Sequence, residues 1–182
     1  MRLRTKKSYL EISKYIIDQF WYLKNDKSLH IEINNIKSIS LARFTIKGEQ
    51  KKITIRQNII KLVSVYPEIY NNIINTANVY LNYIIGENSL DNNDALFVFI
   101  LLHELGHLAF RFVYNNKFGI DLNKLKRMLL IDRLTFATTT NDDKNISIYK
   151  DHFSSDEIYA NMFAYKNFPR IWYILKNKKY VK

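Results

Sequence analysis

Apolar side chains recur at helical spacing near the start of the chain. Ile12 and Ile16 lie one helical turn apart among charged residues, which predicts an amphipathic helix over residues 8–24. Ser8 and Glu11 have the spacing of a capping box, in which two side chains satisfy free backbone amides at the start of a helix. We therefore expect this helix to begin at Ser8.

Apolar and polar residues then alternate, and this pattern predicts β-strands between about residues 29 and 56. The alternating apolar positions are Leu29, Ile31 and Ile33, then Ala42, Phe44 and Ile46, and finally Ile53 and Ile55. Gly48 and Glu49 separate the second group from the third and predict a turn. The second and third groups are therefore expected to form a hairpin.

The remainder of the chain has a mainly helical pattern. The predicted elements are helices over about residues 67–85, 94–114, 121–130 and 154–167, with a polar loop at 138–145. The last of these helices is expected to end near Pro169. Segment 94–114 is apolar on nearly all sides, which is typical of a central buried helix. The chain is thus predicted to be a single α+β domain over residues 1–182, mostly helical, with a small N-terminal β-sheet.

No segment has the pattern of a membrane anchor or a signal peptide. The most apolar run, Ala95–Leu102, is much shorter than a bilayer-spanning helix, and charged residues interrupt the apolar positions of Ser8–Leu23. We therefore expect a cytoplasmic protein that does not act at a membrane.

The charge balance is the most conspicuous feature of the composition. The chain has 28 basic and 17 acidic residues, a formal net charge of +11. A surplus of this size favours an acidic partner or a nucleic acid. The basic residues are mostly scattered lysines, however, and the sequence is also rich in Asn, Ile and Tyr, a bias that AT-rich coding produces without any ligand. Direct nucleic-acid binding is therefore kept as a secondary hypothesis.

One segment carries recognisable chemistry, the H-E-x-x-H motif that runs from His103 to His107 within the most apolar predicted helix. Residues four apart lie on one face of a helix, so both imidazoles can reach one metal ion, and Glu104 can serve as the catalytic base. The absence of cysteine excludes thiolate ligands. The alternative is a pair of core histidines that bind backbone carbonyls, with Glu104 in an ion pair.

A catalytic zinc site usually has a third protein ligand and an open position. The metzincin continuation is absent, since Phe110 and Val113 stand where that pattern has Gly and His. Glu157 is one downstream candidate. Other possible ligands nearby are Asp151, His152 and Asp156. The residues alone leave two roles open for Glu157, because with Ser154 it also forms a possible capping box.

Two further residues of the motif region are unusual for a helix interior. Gly106 costs about 1 kcal/mol relative to Ala in the middle of a helix. Close approach of a strand, a substrate backbone or a neighbouring helix would explain it. Asn161 shares a helix face with Glu157, and we expect it to accept a hydrogen bond from the N–H group of a ligand imidazole. The alternative is an exposed helical asparagine without a specific role.

The combination of H-E-L-G-H at 103–107 with E-x-x-A-N-x-F-A at 157–164 resembles the ImmA/IrrE family of metallopeptidases. The resemblance covers mainly residues 102–169. It implies a gluzincin-like arrangement, in which His103, His107 and Glu157 hold Zn²⁺. It also implies a zincin-like fold, with the small sheet packed beside the active-site helix.

This resemblance implies a zinc-dependent endopeptidase of narrow specificity, with a protein substrate that is typically a DNA-binding repressor or another regulatory protein. Glu104 would accept a proton from the attacking water and deliver it to the leaving amine. A group that stabilises the oxyanion is also needed. The candidates by sequence proximity are Tyr149, His152 and Tyr159.

A second hypothesis is a non-proteolytic protein of the same fold. Such a regulator or interaction module would bind a protein partner or a nucleic acid through its basic surface. The surplus of positive charge and the basic chain ends motivate it.

Overall fold

The computed structural model describes residues 4–34, 41–61, 92–118 and 155–181. The elements within these ranges are α1 (Lys6–Ile17), α2 (Trp21–Lys24), β1 (Leu29–Asn34), β2 (Ala42–Lys47), β3 (Gln50–Arg56), α3 (Asn93–Phe118) and α4 (Ser155–Asn177). The predicted α+β class, mostly helical with a small sheet, is confirmed. The predicted helices at 67–85 and 121–130 and the loop at 138–145 lie outside the described residues.

The N-terminal helix begins earlier and ends earlier than its periodicity predicts. Thr5 is the N-cap of α1, and its side chain accepts a hydrogen bond from the Ser8 amide at 3.2 Å. The capping box predicted at Ser8 is therefore wrong, because a residue three positions earlier fills that role. The prediction of one continuous helix to residue 24 is also wrong. Phe20 adopts an extended conformation between α1 and α2, and its buried ring lies against Phe163 with the ring centroids 5.2 Å apart.

The sheet has the order β1-β3-β2, so β3 is central. β2 and β3 pair antiparallel, with Phe44 opposite Ile53, and Gly48 turns between them at φ +60°. That left-handed conformation favours glycine, and the predicted hairpin is confirmed. β1 pairs parallel with β3, with Ile33 opposite Ile55. Alternation alone does not specify strand direction, so the parallel pair was not predicted.

One face of the sheet and one face of α1 are buried together against α3. The side chains that are nearly inaccessible to solvent here are Tyr9, Ile12, Ile16, Ile33, Ile53 and Ile55. They alternate in the strands and recur at helical spacing in α1, as expected for elements with a single buried face. This arrangement leaves the opposite face of the sheet to polar and charged residues.

α3 is the central helix of the described structure. Asn92 caps it by accepting a hydrogen bond from the Ala95 amide at 3.1 Å. By length and composition alone the stretch Asn93–Val113 is apolar enough to cross a membrane, yet 78% of its most apolar window is buried inside the protein. The expectation of a central buried helix is therefore confirmed.

A buried polar cluster joins the start of α3 to α1 and to the end of the sheet. The Asn93 amide donates to the Tyr9 hydroxyl at 2.6 Å, and its oxygen accepts from the Ile59 amide at 3.1 Å. The Tyr9 hydroxyl also donates to Asp94, which forms an ion pair with Arg4. Burial raises the pKa of Tyr9 to about 12, so the hydroxyl stays neutral and keeps its proton to donate. These hydrogen bonds and the ion pair anchor the N-terminal end of α3, and each buried polar side chain in the cluster has a hydrogen-bond partner.

The contact between α3 and α4 is unusually close at Gly106. A Cβ atom at this position would lie 2.6 Å from the Ala160 Cα atom and 3.1 Å from the Phe163 Cβ atom. No ordinary carbon contact is that short, so the two helices can approach only because residue 106 has no side chain. Among the explanations open for Gly106, a neighbouring helix is the one observed.

α4 starts within one residue of its predicted beginning but runs far past its predicted end. Pro169 lies inside the helix, which continues to Asn177. A proline in a helix interior costs about 3 kcal/mol or more. Burial of one large apolar side chain contributes about 1.5–3 kcal/mol, and the buried residues beyond or beside the proline are Phe168, Ile171, Trp172 and Leu175. Their combined burial outweighs the proline, which is why the end predicted at Pro169 is wrong.

Replacing Gly106 with alanine tests the close helix contact. The G106A variant is expected to lose about 1–3 kcal/mol of unfolding free energy, because the new methyl group meets backbone atoms that cannot rotate away. The intrinsic helix preference of alanine, about 1 kcal/mol, acts in the opposite direction and does not offset this clash. Urea denaturation measures the difference.

Met162 provides the control, since it lies on α4, the helix that packs against Gly106, and 65% of the residue is exposed. The M162A variant is expected to stay within about 0.5 kcal/mol of the parent. A G106A protein as stable as the parent would contradict the close contact.

Candidate metal centre

His103 and His107 lie on one face of α3, and the first turn of α4 brings Glu157 to them. Glu157 Oε2 lies 3.2 Å from His103 Nε2, and Oε1 lies 3.5 Å from His107 Nε2. One ligand atom from each residue can be chosen so that all three lie within 4.8 Å of one another. This group of three side chains can hold a metal ion. The three residues expected to share a metal therefore lie together.

Each imidazole is also held from its other nitrogen by α4. His103 Nδ1 lies 3.0 Å from Asn161 Oδ1, and His107 Nδ1 lies 2.7 Å from Asp156 Oδ1. The contact expected between Asn161 and a ligand imidazole is thus present. With Nδ1 engaged in each ring, both Nε2 atoms face the carboxylate of Glu157.

The chemistry of this donor set fits a cation. A nitrogen lone pair and a carboxylate oxygen repel each other at 3.2–3.5 Å unless a proton or a metal ion lies between them. Burial by itself lowers the pKa of His103. The hydrogen bond to Glu157 and the nearby Glu104 carboxylate raise the pKa by more than burial lowers it, so the pKa of His103 is raised overall. The site therefore favours positive charge at the point where the three side chains meet.

Glu104 lies beside the two histidines in a nearly inaccessible position, with 8% of the residue exposed. Burial raises the pKa of Glu104, and the two histidines offset part of that rise. A carboxyl group with a raised pKa is better matched to accepting and returning a proton near neutral pH than an ordinary glutamate. Its role as the catalytic base stays a prediction.

The acidic groups of the site outnumber its cations. Glu104, Asp156 and Glu157 are the carboxyl groups, and Arg111 lies 3.9 Å from Asp156 as their cationic neighbour among the described residues. A divalent cation would neutralise the remaining formal charge. Burying uncompensated carboxylates is costly, so this balance also favours a bound metal ion.

The edge strand β2 forms one side of the centre. The Phe44 ring is parallel to the His107 imidazole within 7°, with the ring centroids 6.5 Å apart. The Arg111 guanidinium lies over the same phenyl ring, 4.7 Å from its centroid. The small sheet is therefore packed beside α3, as expected, and Phe44 shields His107 on that side.

The three candidates for stabilising an oxyanion have different outcomes. Tyr149 and His152 lie outside the described residues, as does Asp151. Tyr159 is described, and its ring lies against Phe110 with the centroids 5.3 Å apart. Its role in catalysis stays a prediction.

The sequence indicates that Asp156 lies near the site, but it does not predict the hydrogen bond between Asp156 and His107. The available signal was its position directly before Glu157, which puts it in the same helical turn. Phe44 and Arg111 were not identified at all. A phenylalanine in an alternating strand is typical of core packing, and nothing in the sequence relates residue 44 to residue 107.

Comparisons with known proteins add no relative of this chain. No protein-family model matches it, and neither the curated proteins nor the solved structures include a match. The functional interpretation therefore depends on the motifs and on the geometry of the centre.

Removing any ligand is expected to weaken metal binding. The metal-free protein should bind one Zn²⁺ or Co²⁺ per chain, and at a free metal concentration of 100 times the dissociation constant it should gain about 2.7 kcal/mol of stability. The H103A, H107A and E157Q variants should each lose at least about 100-fold in affinity, since loss of an outer partner alone costs 10–100-fold. Chelator competition and thermal denaturation measure both quantities.

His30 is the matched control, because it is an exposed histidine on β1. The H30A variant should bind metal as the parent does. Equal weakening in H30A, or the absence of stoichiometric binding by the parent, would contradict the site.

Proposed function

We propose that this protein is a zinc-dependent endopeptidase of narrow specificity with a zincin-like fold, similar to the ImmA/IrrE metallopeptidases. The single observation that carries the proposal is the convergence of His103, His107 and Glu157 within 4.8 Å, beside the buried carboxyl group of Glu104. The E-x-x-A-N-x-F-A pattern that begins at Glu157 supports the same assignment.

Zinc is the metal that this donor set favours. Two imidazoles and one carboxylate form a combination found in catalytic zinc sites, which leave a fourth position open for water or substrate. Sites made only of oxygen donors suit magnesium or calcium better. When bound, zinc would act as a Lewis acid that lowers the pKa of water and polarises a carbonyl group.

The protein's own residues supply orientation and proton transfer. His103, His107 and Glu157 would hold the metal, while Asn161 and Asp156 hold the two imidazole rings from their other nitrogens. Glu104 accepts the proton of the attacking water at a carboxylate oxygen and later donates it to the leaving amine. Its burial limits the competition from bulk water for that proton.

The substrate is proposed to be a cytoplasmic regulatory protein, such as a DNA-binding repressor. Support for this class comes from the resemblance to the ImmA/IrrE family. The net charge of +11 adds a preference for an acidic surface on the substrate, because opposite charges accelerate encounter.

A second candidate function is a non-proteolytic regulator that binds a polyanion. The observation that favours it is the solvent face of the sheet, where Arg43, Lys47 and Lys52 are exposed. Lys52 forms an ion pair with Glu32 at 2.6 Å, which reduces the positive charge of this face. The face is therefore weaker support for a function than the metal centre.

The E104Q variant tests the peptidase proposal. It should retain one zinc ion per chain and lose at least about 100-fold in cleavage rate, because general-base catalysis contributes 10²–10⁴-fold. A peptide library digested from a whole proteome serves as the substrate, and mass spectrometry quantifies the cleaved peptides.

The E11Q variant is the matched control, since Glu11 is an exposed acid on α1. It should cleave like the parent. Cleavage by E104Q at the parental rate, or a parent protein without stoichiometric zinc, would refute the proposal.

Electrophoretic mobility shift across a salt series tests the second candidate. We expect duplex DNA binding without sequence preference that is lost near physiological salt, because each phosphate contact contributes about 0.9 to the logarithmic salt dependence. The R43A/K47A variant is compared with K24A/K27A, which removes two exposed lysines elsewhere. Sequence-selective binding that persists at physiological salt and disappears only in R43A/K47A would favour the second candidate instead.

A further inference from the structure

Asp156 is among the most buried acids of the described structure, with 2% of the residue exposed. It lies in the first turn of α4, directly before Glu157. Its Oδ1 atom is 2.7 Å from His107 Nδ1, which makes this hydrogen bond shorter than the 3.0 Å contact between Asn161 and His103. A carboxylate buried this deeply requires partners, and His107 is the nearer of those described.

The second oxygen of Asp156 is oriented by Arg111. Arg111 Nη2 lies 3.9 Å from Oδ2, which is long for a hydrogen bond but close enough for charge attraction in a buried setting. Arg111 is one helical turn beyond His107 on α3, and its guanidinium is held over the Phe44 ring. The carboxylate therefore lies with Oδ1 toward His107 and Oδ2 toward Arg111.

The chemical difference between Asp156 and Asn161 decides what each can impose on its histidine. An ionised carboxylate only accepts hydrogen bonds, so a neutral His107 beside it must carry its proton on Nδ1. An asparagine amide can present either its oxygen or its NH₂ group by rotating half a turn, so Asn161 is compatible with both tautomers of His103. Only the carboxylate dictates a tautomer.

We propose that Asp156 is the positioning residue of the metal centre: it holds His107 with the proton on Nδ1, which leaves the Nε2 lone pair available to a metal ion. This inference deepens the proposed function, since it concerns the same centre. Asp156 does not itself contact the metal or the substrate. It acts through His107. Arg111 lies beside the carboxylate of Asp156, and Phe44 lies beside the imidazole of His107.

The tautomers can be read directly in the metal-free protein. The chain has four histidines, so a long-range ¹H–¹⁵N correlation spectrum of the imidazoles is simple enough to assign with single histidine variants. At a pH where the imidazoles are neutral, His107 of the parent should be protonated on Nδ1. The D156N variant should populate the Nε2-protonated form of His107, because the amide can then donate to Nδ1.

Zinc affinity gives the second measurement. D156N should lose about 10–100-fold in affinity for Zn²⁺ by chelator competition, the usual effect of losing an outer partner of a metal-binding histidine. The D18N variant is the matched control, because it makes the same acid-to-amide change at an exposed position outside the centre. It should bind Zn²⁺ as the parent does. Thermal denaturation of each metal-free variant establishes that it is folded.

The outcomes separate this inference from the proposed function. Protonation of His107 on Nε2 in the parent would overturn the role of Asp156 even if zinc binds and peptides are cleaved, and that measurement needs no variant to fold. A D156N protein with unchanged tautomer and affinity would overturn it too. A parent with His107 protonated on Nδ1 but no zinc binding would uphold the control of the His107 tautomer by Asp156 and refute the metal centre and the peptidase.

Discussion

The close approach of α3 and α4 at Gly106 and Ala160 is the constraint on which the centre depends. A Cβ atom at residue 106 would lie 2.6 Å from the Ala160 Cα atom, so any side chain there would force the helices apart. Glu157 precedes Ala160 by one turn, and Asn161 follows it directly. The distance that admits no methyl group is therefore also the distance that lets a carboxylate on one helix reach two imidazoles on the other. The contact between Gly106 and Ala160 therefore both packs the two helices together and brings the side chains of the candidate metal centre within reach of one another.

The centre places polar and charged groups within the most apolar part of the described structure, where both imidazoles and Asp156 have a polar neighbour. His103 and His107 are held by Asn161 and Asp156, and Arg111 faces Asp156 from the other side. Such arrangements are costly when any member is missing, since a buried polar group without its partner loses the hydration it had in the unfolded chain. The net charge of +11, the most conspicuous feature of the composition, has no comparable arrangement among the described residues. The small buried cluster thus carries more functional information than the large surface charge.

Much of the candidate site could be predicted because its residues are close in sequence. His103, Glu104 and His107 lie within two turns of one helix, and the helical repeat alone puts the imidazoles on one face. Asp156 was recognisable as a neighbour but not as the partner of His107, since that contact depends on how α4 is rotated against α3. Phe44 belongs to a strand 63 residues before His107, and no local pattern relates them. Contacts between distant segments depend on packing, which a periodicity does not encode.

The sequence by itself determined the α+β class, the hairpin around Gly48, the central buried helix and the histidine pair, because each follows from local periodicity, turn chemistry or spacing within one element. Tertiary structure decided where elements begin and end when burial competed with local preference. Phe20 interrupts the first helix to reach Phe163, and α4 continues through Pro169 because Ile171 and Trp172 are buried beyond it. It also decided the parallel pairing of β1 with β3 and the assignment of Asp156 to His107. Local propensities amount to about 1 kcal/mol per residue and about 3 kcal/mol for a proline inside a helix. Burial of each large apolar side chain contributes about 1.5–3 kcal/mol, so the combined burial of several side chains prevails in both cases.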